Sequence, residues 1–374
     1  MKILFINLPF SGHIIPTLGL VKELLKRENQ VTYLLAYEWK NHILQTGAEF
    51  MGYKNAKKLS DQLKNAYDAT DEIAKEYDLI LYEQFFFLGK HVAEKWNKPA
   101  IRIFTSIASN KEIMKEFINA GGALAIFRSQ WVCRKFTKNV SKGIPLMTDS
   151  WLKEIIQNPP NLNFVYTIRE FQPYEEEFPD EHFKFIGTSI YKRYIQSEFQ
   201  MPVTNKKIIY ISLGTIVNNA KSFYKKCMKA FEKEEVMVIM SIGNLVKRNR
   251  LGHIPDNFHI YSSVPQLEVL EKADVFITHG GLNSVSEAMY FGVPMVVFPY
   301  ETDQPLNAKC IERLGVGKRL DRKKVTSELL KTVVTSLLND NMIAENTKKV
   351  KEKMQSAPGN SFASDLIMKY FDNY

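Results

Sequence analysis

The stretch Thr278-His279-Gly280-Gly281-Leu282-Asn283-Ser284-Val285-Ser286-Glu287 is the densest collection of ligand-capable residues in the chain. An apolar run over 275–278 ends at His279, two glycines strip side chains from the turn, and a helix is expected to begin near Asn283. A helix start presents unpaired backbone N–H groups and the positive end of the helix dipole, both suited to phosphate oxygens, and Gly280 and Gly281 let a diphosphate approach. Asn283 and Ser284 add side-chain donors, while Glu287, one helical turn on, can accept from two ribose hydroxyls. The same residues also describe a plain turn and helix cap. After the apolar run 295–298, Asp303 and Gln304 set a carboxylate beside a carboxamide, a fork for sugar hydroxyls that can equally cap the helix that follows. Ser212-Leu213-Gly214-Thr215 and Val264-Pro265-Gln266 are further turns at the same expected sheet edge. Near the amino end, Ser11-Gly12-His13-Ile14-Ile15-Pro16 turns into a helix directly after the first apolar run. Ligands meet strand ends at such a place. A lone histidine there is more often structural than catalytic.

These residues need a scaffold that delivers strand ends to one edge. Short runs rich in Ile, Val, Leu and Phe alternate with longer amphipathic stretches, the pattern of parallel sheets covered by helices, and the fold class is α/β. One series has strands over 2–8, 30–36, 79–82 and 100–104, with a helix over 17–27; the other has strands over 207–213, 236–241, 258–261, 275–278 and 295–298. An N-terminal domain over 1–197 and a C-terminal domain over 206–355 follow, with a polar, Pro202-containing linker within 194–206. The closing residues 356–374 are expected to form a helix packing back toward the N-terminal domain. At 374 residues the chain is long enough for two cores.

The net charge of +9 is compatible with nucleic acid, an anionic membrane surface or phosphorylated small molecules. Lys and Arg are interspersed with acids along the chain, with no basic tail or RNA-binding motif, which disfavours nucleic acid as a partner. The apolar runs are too short for a membrane span. The first run breaks at Pro9 without a cleavage site, so it reads as a strand and not as a signal peptide. Cys133, Cys227 and Cys310 are scattered and odd in number, against a disulfide framework or zinc spacing, and point to a reducing cytoplasm. Over 121–150, Phe127, Trp131, Val132 and Phe136 alternate with Arg128, Arg134, Lys135 and Lys138. This reads first as a helix packing its apolar face on the domain, and second as an acceptor-binding surface or weak peripheral membrane contact.

Taken together, Gly12-His13-Ile14-Ile15-Pro16 and the block from Val264-Pro265-Gln266 through His279-Gly280-Gly281-Leu282-Asn283-Ser284, Glu287, Gly292-Val293-Pro294 and Asp303-Gln304 to Asn307-Ala308 resemble the macrolide glycosyltransferases of the UDP-dependent family 1 enzymes. The resemblance runs over nearly the whole chain. It implies the GT-B fold, two Rossmann-like domains facing each other across a cleft, and inverting transfer of a hexose from a UDP-sugar. UDP-glucose is the best guess for the donor, and the acceptor is a hydroxyl of a largely apolar small molecule. It also implies that His279 contacts the diphosphate, Ser284 and Thr215 its oxygens, Glu287 the ribose, Val264 and Gln266 the base, and Asp303 and Gln304 the transferred sugar. His13 would be the catalytic base, since imidazole, with an unperturbed pKa of about 6.5, can take a proton at neutral pH. A family aspartate that orients this histidine is replaced in Tyr77-Asp78-Leu79-Ile80-Leu81-Tyr82-Glu83 by Glu83, which can fold back to the ring or stand as a solvated strand-end acid. No Asp-x-Asp element is placed for a divalent ion, so no metal is expected. The alternatives are a membrane-surface enzyme with a lipid acceptor and a nucleotide-sugar-binding protein that has lost turnover. The sequence sets no oligomeric state.

Overall fold

The computed structural model describes residues 1–190, 199–214 and 220–374, which form two compact units, Met1–Tyr191 with Ala357–Tyr374, and Lys192–Ser356. Thr215, and residues 194–198 of the expected linker, lie outside the described residues.

The first unit is built on seven parallel strands: β1 (Lys2–Ile6), β2 (Gln30–Ala36), β3 (Glu49–Tyr53), β4 (Leu79–Glu83), β5 (Ala100–Phe104), β6 (Leu162–Val165) and β7 (Phe183–Phe185), in the order β3-β2-β1-β4-β5-β6-β7. Strands β4 and β5 are buried throughout, because helices cover both faces and leave no polar side to the sheet. Ile3 and Phe5 point to one face, with Leu20, Val21 and Leu24 of helix Leu18–Lys26. Leu4 and Ile6 point to the other, with Val92, Ala93 and Trp151. The carboxy-terminal helix, Gly359–Asp372, belongs to this unit, inserting Ala363 and Ile367 into the Ile3/Phe5 core. Arg27 holds it from outside, at 2.8 Å from Asp365 and 3.1 Å from the Ser361 carbonyl.

The second unit repeats the plan with six parallel strands: β8 (Lys207–Ser212), β9 (Val236–Ser241), β10 (Phe258–Tyr261), β11 (Val275–Thr278), β12 (Met295–Val297) and β13 (Gly317–Arg319), in the order β10-β9-β8-β11-β12-β13. Ile209, Ile211 and Val275 pack on helices Lys221–Phe231 and Ser327–Asn339 through Tyr224, Cys227, Leu330 and Val334. In each sheet the chain runs outward one way from its first strand and then reverses, so β1/β4 and β8/β11 are the switch points at which a doubly wound fold opens a crevice beyond its strand ends.

Strands β3, β6, β7 and β13 go beyond the elements expected from sequence. In β3 and β13 most residues are at least partly exposed, so neither carries the continuous apolar run that marks an inner strand. The 121–150 region also differs from the expected single apolar face. A 3-10 helix, Gly122–Arg128, precedes helix Gln130–Val140. Phe127 and Phe136 pack on Trp151 at 5.0 and 5.7 Å, while Trp131 stands on the surface, 68% exposed. Trp131 falls on the solvent side of the helix because Cys133, Thr137 and Val140 take the inner one. Among the described residues, no helix is long and apolar enough to cross a membrane.

Candidate functional site

At the β1/β4 switch point the chain leaves β1 through Asn7 and enters the short helix Ser11–Ile14. Asn7 is fully buried and shapes this turn: its Nδ2 donates to the His13 carbonyl at 2.9 Å and to the Tyr33 hydroxyl at 3.1 Å, and its Oδ1 accepts from the Leu8 N–H at 2.8 Å. His13 is thereby held over the end of β4, where Glu83 is the last strand residue. The His13 Nδ1 lies 2.8 Å from Glu83 Oε1. Glu83 is fully buried, which removes the solvated strand-end alternative, and its second oxygen accepts from the Phe85 N–H at 2.9 Å. Hydrogen bonds of this kind compensate a carboxylate that burial removes from solvent. Thr105, the first residue after β5, puts its hydroxyl 2.8 Å from His13 Nδ1 and 3.1 Å from Glu83 Oε1. Phe85 and Phe10 meet the imidazole edge-on, with ring centroids at 4.9 and 5.9 Å.

A nitrogen and a carboxylate oxygen 2.8 Å apart share a proton, so Nδ1 carries the hydrogen and the basic lone pair belongs to Nε2. This is the arrangement of a general base with its orienting acid. Sequence reasoning placed His13 and Glu83 but missed Asn7 and Thr105. Both follow a β-strand directly, and that position was the available signal.

At the β8/β11 switch point, His279 follows β11 and Gly214 follows β8. A Cβ at Gly214 would stand 2.6 Å from the imidazole Cε1, and one at Gly281 would stand 2.6 Å from its Nε2. The ring is therefore held between two glycine backbones, and a side chain at either position would push it aside. Gly280 has φ +88 and faces Val297 at 2.6 Å from its would-be Cβ, so both its conformation and its neighbour require glycine. Burial lowers the His279 pKa to about 4, against the opposing pull of Asp303, so the half-buried ring is neutral at physiological pH. Helix Leu282–Phe291 starts directly after Gly281, whose side makes no side-chain cap, and its first turn carries Asn283 and Ser284.

A second cluster lies along this helix. The Gln266 Nε2 donates to Ser284 Oγ at 3.2 Å and to Glu287 Oε2 at 2.5 Å, while Gln266 Oε1 accepts from the Tyr210 hydroxyl at 3.1 Å. Glu287 and Val264 are buried. A third group follows β12. Asn307 Nδ2 donates to Asp303 Oδ2 at 2.8 Å and to the Gly280 carbonyl at 2.9 Å, tying the Asp303 loop to the glycine turn. Thr302, just before it, has φ +58, a strained conformation for a β-branched residue. Asp303 makes no side-chain cap. Gln304 Oε1 instead accepts from the Tyr300 N–H at 2.8 Å, which shapes the loop. The structure thus gathers His279, Gly280, Gly281, Gln266, Ser284, Glu287, Asp303 and Gln304 at the strand ends of one sheet, with Asn283 on the same helix turn and Val264 two residues before Gln266. Among the described residues, no group of three or more His, Cys, Asp or Glu side chains is placed to hold a metal ion.

Comparison with known proteins places the chain in a family. The family described as erythromycin biosynthesis protein CIII-like, C-terminal domain, matches residues 226–367. The uncharacterized UDP-glucosyltransferase YojK of Bacillus subtilis (strain 168) is 32% identical across 98% of this chain and 97% of its own length. The NDP-glycosyltransferase YjiC of the same organism is 33% identical across 95% of this chain and 93% of its own. Among solved structures, the calicheamicin glycosyltransferase CalG4 superposes with a TM-score of 0.84 at 26% identity, covering 99% of this chain and 98% of that one. With relatives about a third identical over almost their entire length, the chain belongs to the macrolide-type members of the UDP-dependent family 1 glycosyltransferases and is a GT-B glycosyltransferase.

Proposed function

We propose that this enzyme moves glucose from UDP-glucose to a hydroxyl of a largely apolar natural product or phenolic compound, with inversion at the anomeric carbon. The observation that carries the reading is the buried Glu83 carboxylate 2.8 Å from His13 Nδ1. His13 Nε2 takes the acceptor proton as the acceptor oxygen bonds to the anomeric carbon. The bond from that carbon to the diphosphate oxygen breaks, and UDP leaves with the electron pair. Glu83 stabilises the imidazolium so formed. His279, the N–H groups opening helix Leu282–Phe291, and Ser284 meet the charge on the leaving diphosphate. Transfer is therefore expected to survive a chelator. Thr215 would add a donor to the diphosphate, Glu287 would take the ribose, Val264 and Gln266 the base, and Asp303 with Gln304 the glucose hydroxyls. The names of the relatives support a UDP-sugar and a natural-product acceptor. Phe10 and Phe85 beside the imidazole support an apolar one.

A matrix of UDP- and dTDP-sugars against phenolic and polyketide acceptors, read by mass spectrometry, tests this. UDP-glucose should give the most product, and NMR should find a β-linkage from the α-configured donor. No transfer and no calorimetric heat with any sugar nucleotide would refute it.

A lipid acceptor at a membrane surface is a second reading, favoured by exposed apolar residues of the 121–150 region. Ile126, Trp131 and Met147 are 59%, 68% and 72% exposed, and Lys135 lies 4.9 Å over the Trp131 ring. Arg128, Arg134, Lys135, Lys138 and Lys142 follow with no acid among them. Aromatic and cationic side chains together suit an anionic interface. Cosedimentation with phosphatidylglycerol vesicles that is lost in Trp131→Ala would favour it; no binding would leave the soluble acceptor alone.

A further inference from the structure

The geometry points to Thr105 as a positioning residue that fixes the proton between His13 and Glu83, the third member of a catalytic triad and not a passive neighbour. This inference rests on His13 acting as the base.

Thr105 follows β5, one strand out from the β4 end that supplies Glu83, and its side chain is 3% exposed. Its β-branched χ1 is stiff, so the hydroxyl is held and does not swing. Oγ1 stands within bonding distance of both reactive partners, 2.8 Å from Nδ1 and 3.1 Å from Oε1. With Glu83 ionised, one proton arrangement satisfies all three distances. Were Nδ1 unprotonated, its lone pair would face the Glu83 oxygen at 2.8 Å, which is repulsive. Nδ1 therefore holds a hydrogen and gives it to Glu83, and the Thr105 hydroxyl gives its own to the same oxygen while its lone pairs face the N–H. The hydroxyl has two effects. It closes a three-membered set of hydrogen bonds that admits only the Nδ1–H tautomer, the one with its basic lone pair on Nε2. It also spreads the charge of Oε1, so the carboxylate holds the imidazolium less tightly than it otherwise would.

The second effect has a definite sign. Loss of a donor to the anion makes the pair bind protons more tightly, whichever partner takes the proton, so the acid limb of the rate profile moves to higher pH. The other titratable or charged groups facing Glu83 are His13 from the helix after β1, Tyr33 from β2 and Arg102 from β5. Tyr33 is pushed up by burial, with its hydroxyl bonded to Thr17 and Asn7, and Arg102 is bonded to Asn163 and the Ile155 carbonyl. Neither titrates in the acid limb, so a shift there reports the His13–Glu83 pair.

Thr105→Val, nearly isosteric, should lower kcat roughly ten-fold, in line with loss of an outer-shell partner, with KM for the sugar nucleotide unchanged. The acid limb of kcat/KM should rise by about one pH unit, since a hydrogen bond to an anion is lost. Thr105→Ser should restore both the rate and the limb. Circular dichroism and thermal melts confirm that each variant is folded; if Thr105→Val does not fold, Thr105→Ala and Thr105→Cys carry the same comparison. A Thr105→Val enzyme with a wild-type pH profile, or a Thr105→Ser enzyme as impaired as Thr105→Val, overturns the inference. The parent reading fails differently: His13→Ala would then keep wild-type turnover, whereas an inactive His13→Ala beside an unshifted Thr105→Val removes Thr105 alone.

Discussion

After β1 the chain turns over Asn7 toward His13, and after β8 it turns over Leu213 and Gly214; each turn lies beside the strand at which its sheet reverses, β4 in one unit and β11 in the other. The two places are topologically the same and each has an imidazole, yet the imidazoles are treated in opposite ways. His13 has a buried carboxylate on Nδ1 and aromatic rings at its edges, so a proton taken by the ring would face an anionic partner. His279 is pressed between the backbones of Gly214 and Gly281 and desolvated, an environment that refuses a proton. The contrast fits the proposed roles, in which His13 as a base must change charge during turnover while His279 serves the diphosphate as a fixed donor and shape. The difference between the two sites is thus set by what stands beside the ring and not by the ring itself.

The largest effect should come from the proton-accepting side. His13→Ala is expected to lower kcat by roughly 10²–10⁴-fold, the usual contribution of a general base, while calorimetry finds sugar-nucleotide affinity unchanged. If affinity fell as far as turnover, the division of labour between the two switch points would be wrong.

The second effect should appear only on the other side. Gly281→Ala sets a methyl 2.6 Å from His279 Nε2, and Gly214→Ala sets one 2.6 Å from Cε1 at a residue with φ +76. Overpacking of this kind costs about 1–3 kcal/mol, which corresponds to roughly 5- to 150-fold weaker donor binding if the ring is displaced from its ligand position. Turnover at saturating donor should fall too, because the same ring is proposed to meet the charge growing on the leaving diphosphate, but by less than in His13→Ala. A Gly281→Ala enzyme with wild-type donor affinity would mean that the sandwiched ring is not part of the donor site.

The same contrast explains what was legible in the sequence. Inner strands such as β2, β5, β9 and β11 have both faces buried, so their apolar runs mark them directly, and the glycine turn after β11 is continuous in the chain. His279, Gly280, Gly281, Ser284 and Glu287 could therefore be read as one stretch. The His13 site is assembled from the ends of three strands, and sequence spacing does not report that Asn7, Glu83 and Thr105 converge. Glu83 was reached only through the resemblance; Thr105, a common residue type, had no mark beyond its place directly after a strand. Edge strands β3 and β13 were hidden for a related reason, since a strand with exposed positions lacks the run that identifies a buried one.

The smallest predicted effect tests the refusal of the proton itself. His279 has a folded-state pKa of about 4, below the ordinary value of about 6.5 expected in the unfolded chain. As pH falls through this window the unfolded chain takes the proton first, so the stability associated with the neutral ring is intact above roughly pH 6.5 and is lost progressively toward pH 4. The ring is partly exposed, and water screens the charge, so the loss by pH 5 should be on the order of 1 kcal/mol, or about 3 °C in the melting temperature of the second unit. Melts of His279→Gln between pH 7 and pH 4.5 should fall less steeply than those of the wild type, because glutamine has no proton to take. Equal slopes in wild type and His279→Gln would show that burial does not depress the proton affinity of His279, and the comparison between the switch points would then reduce to shape alone.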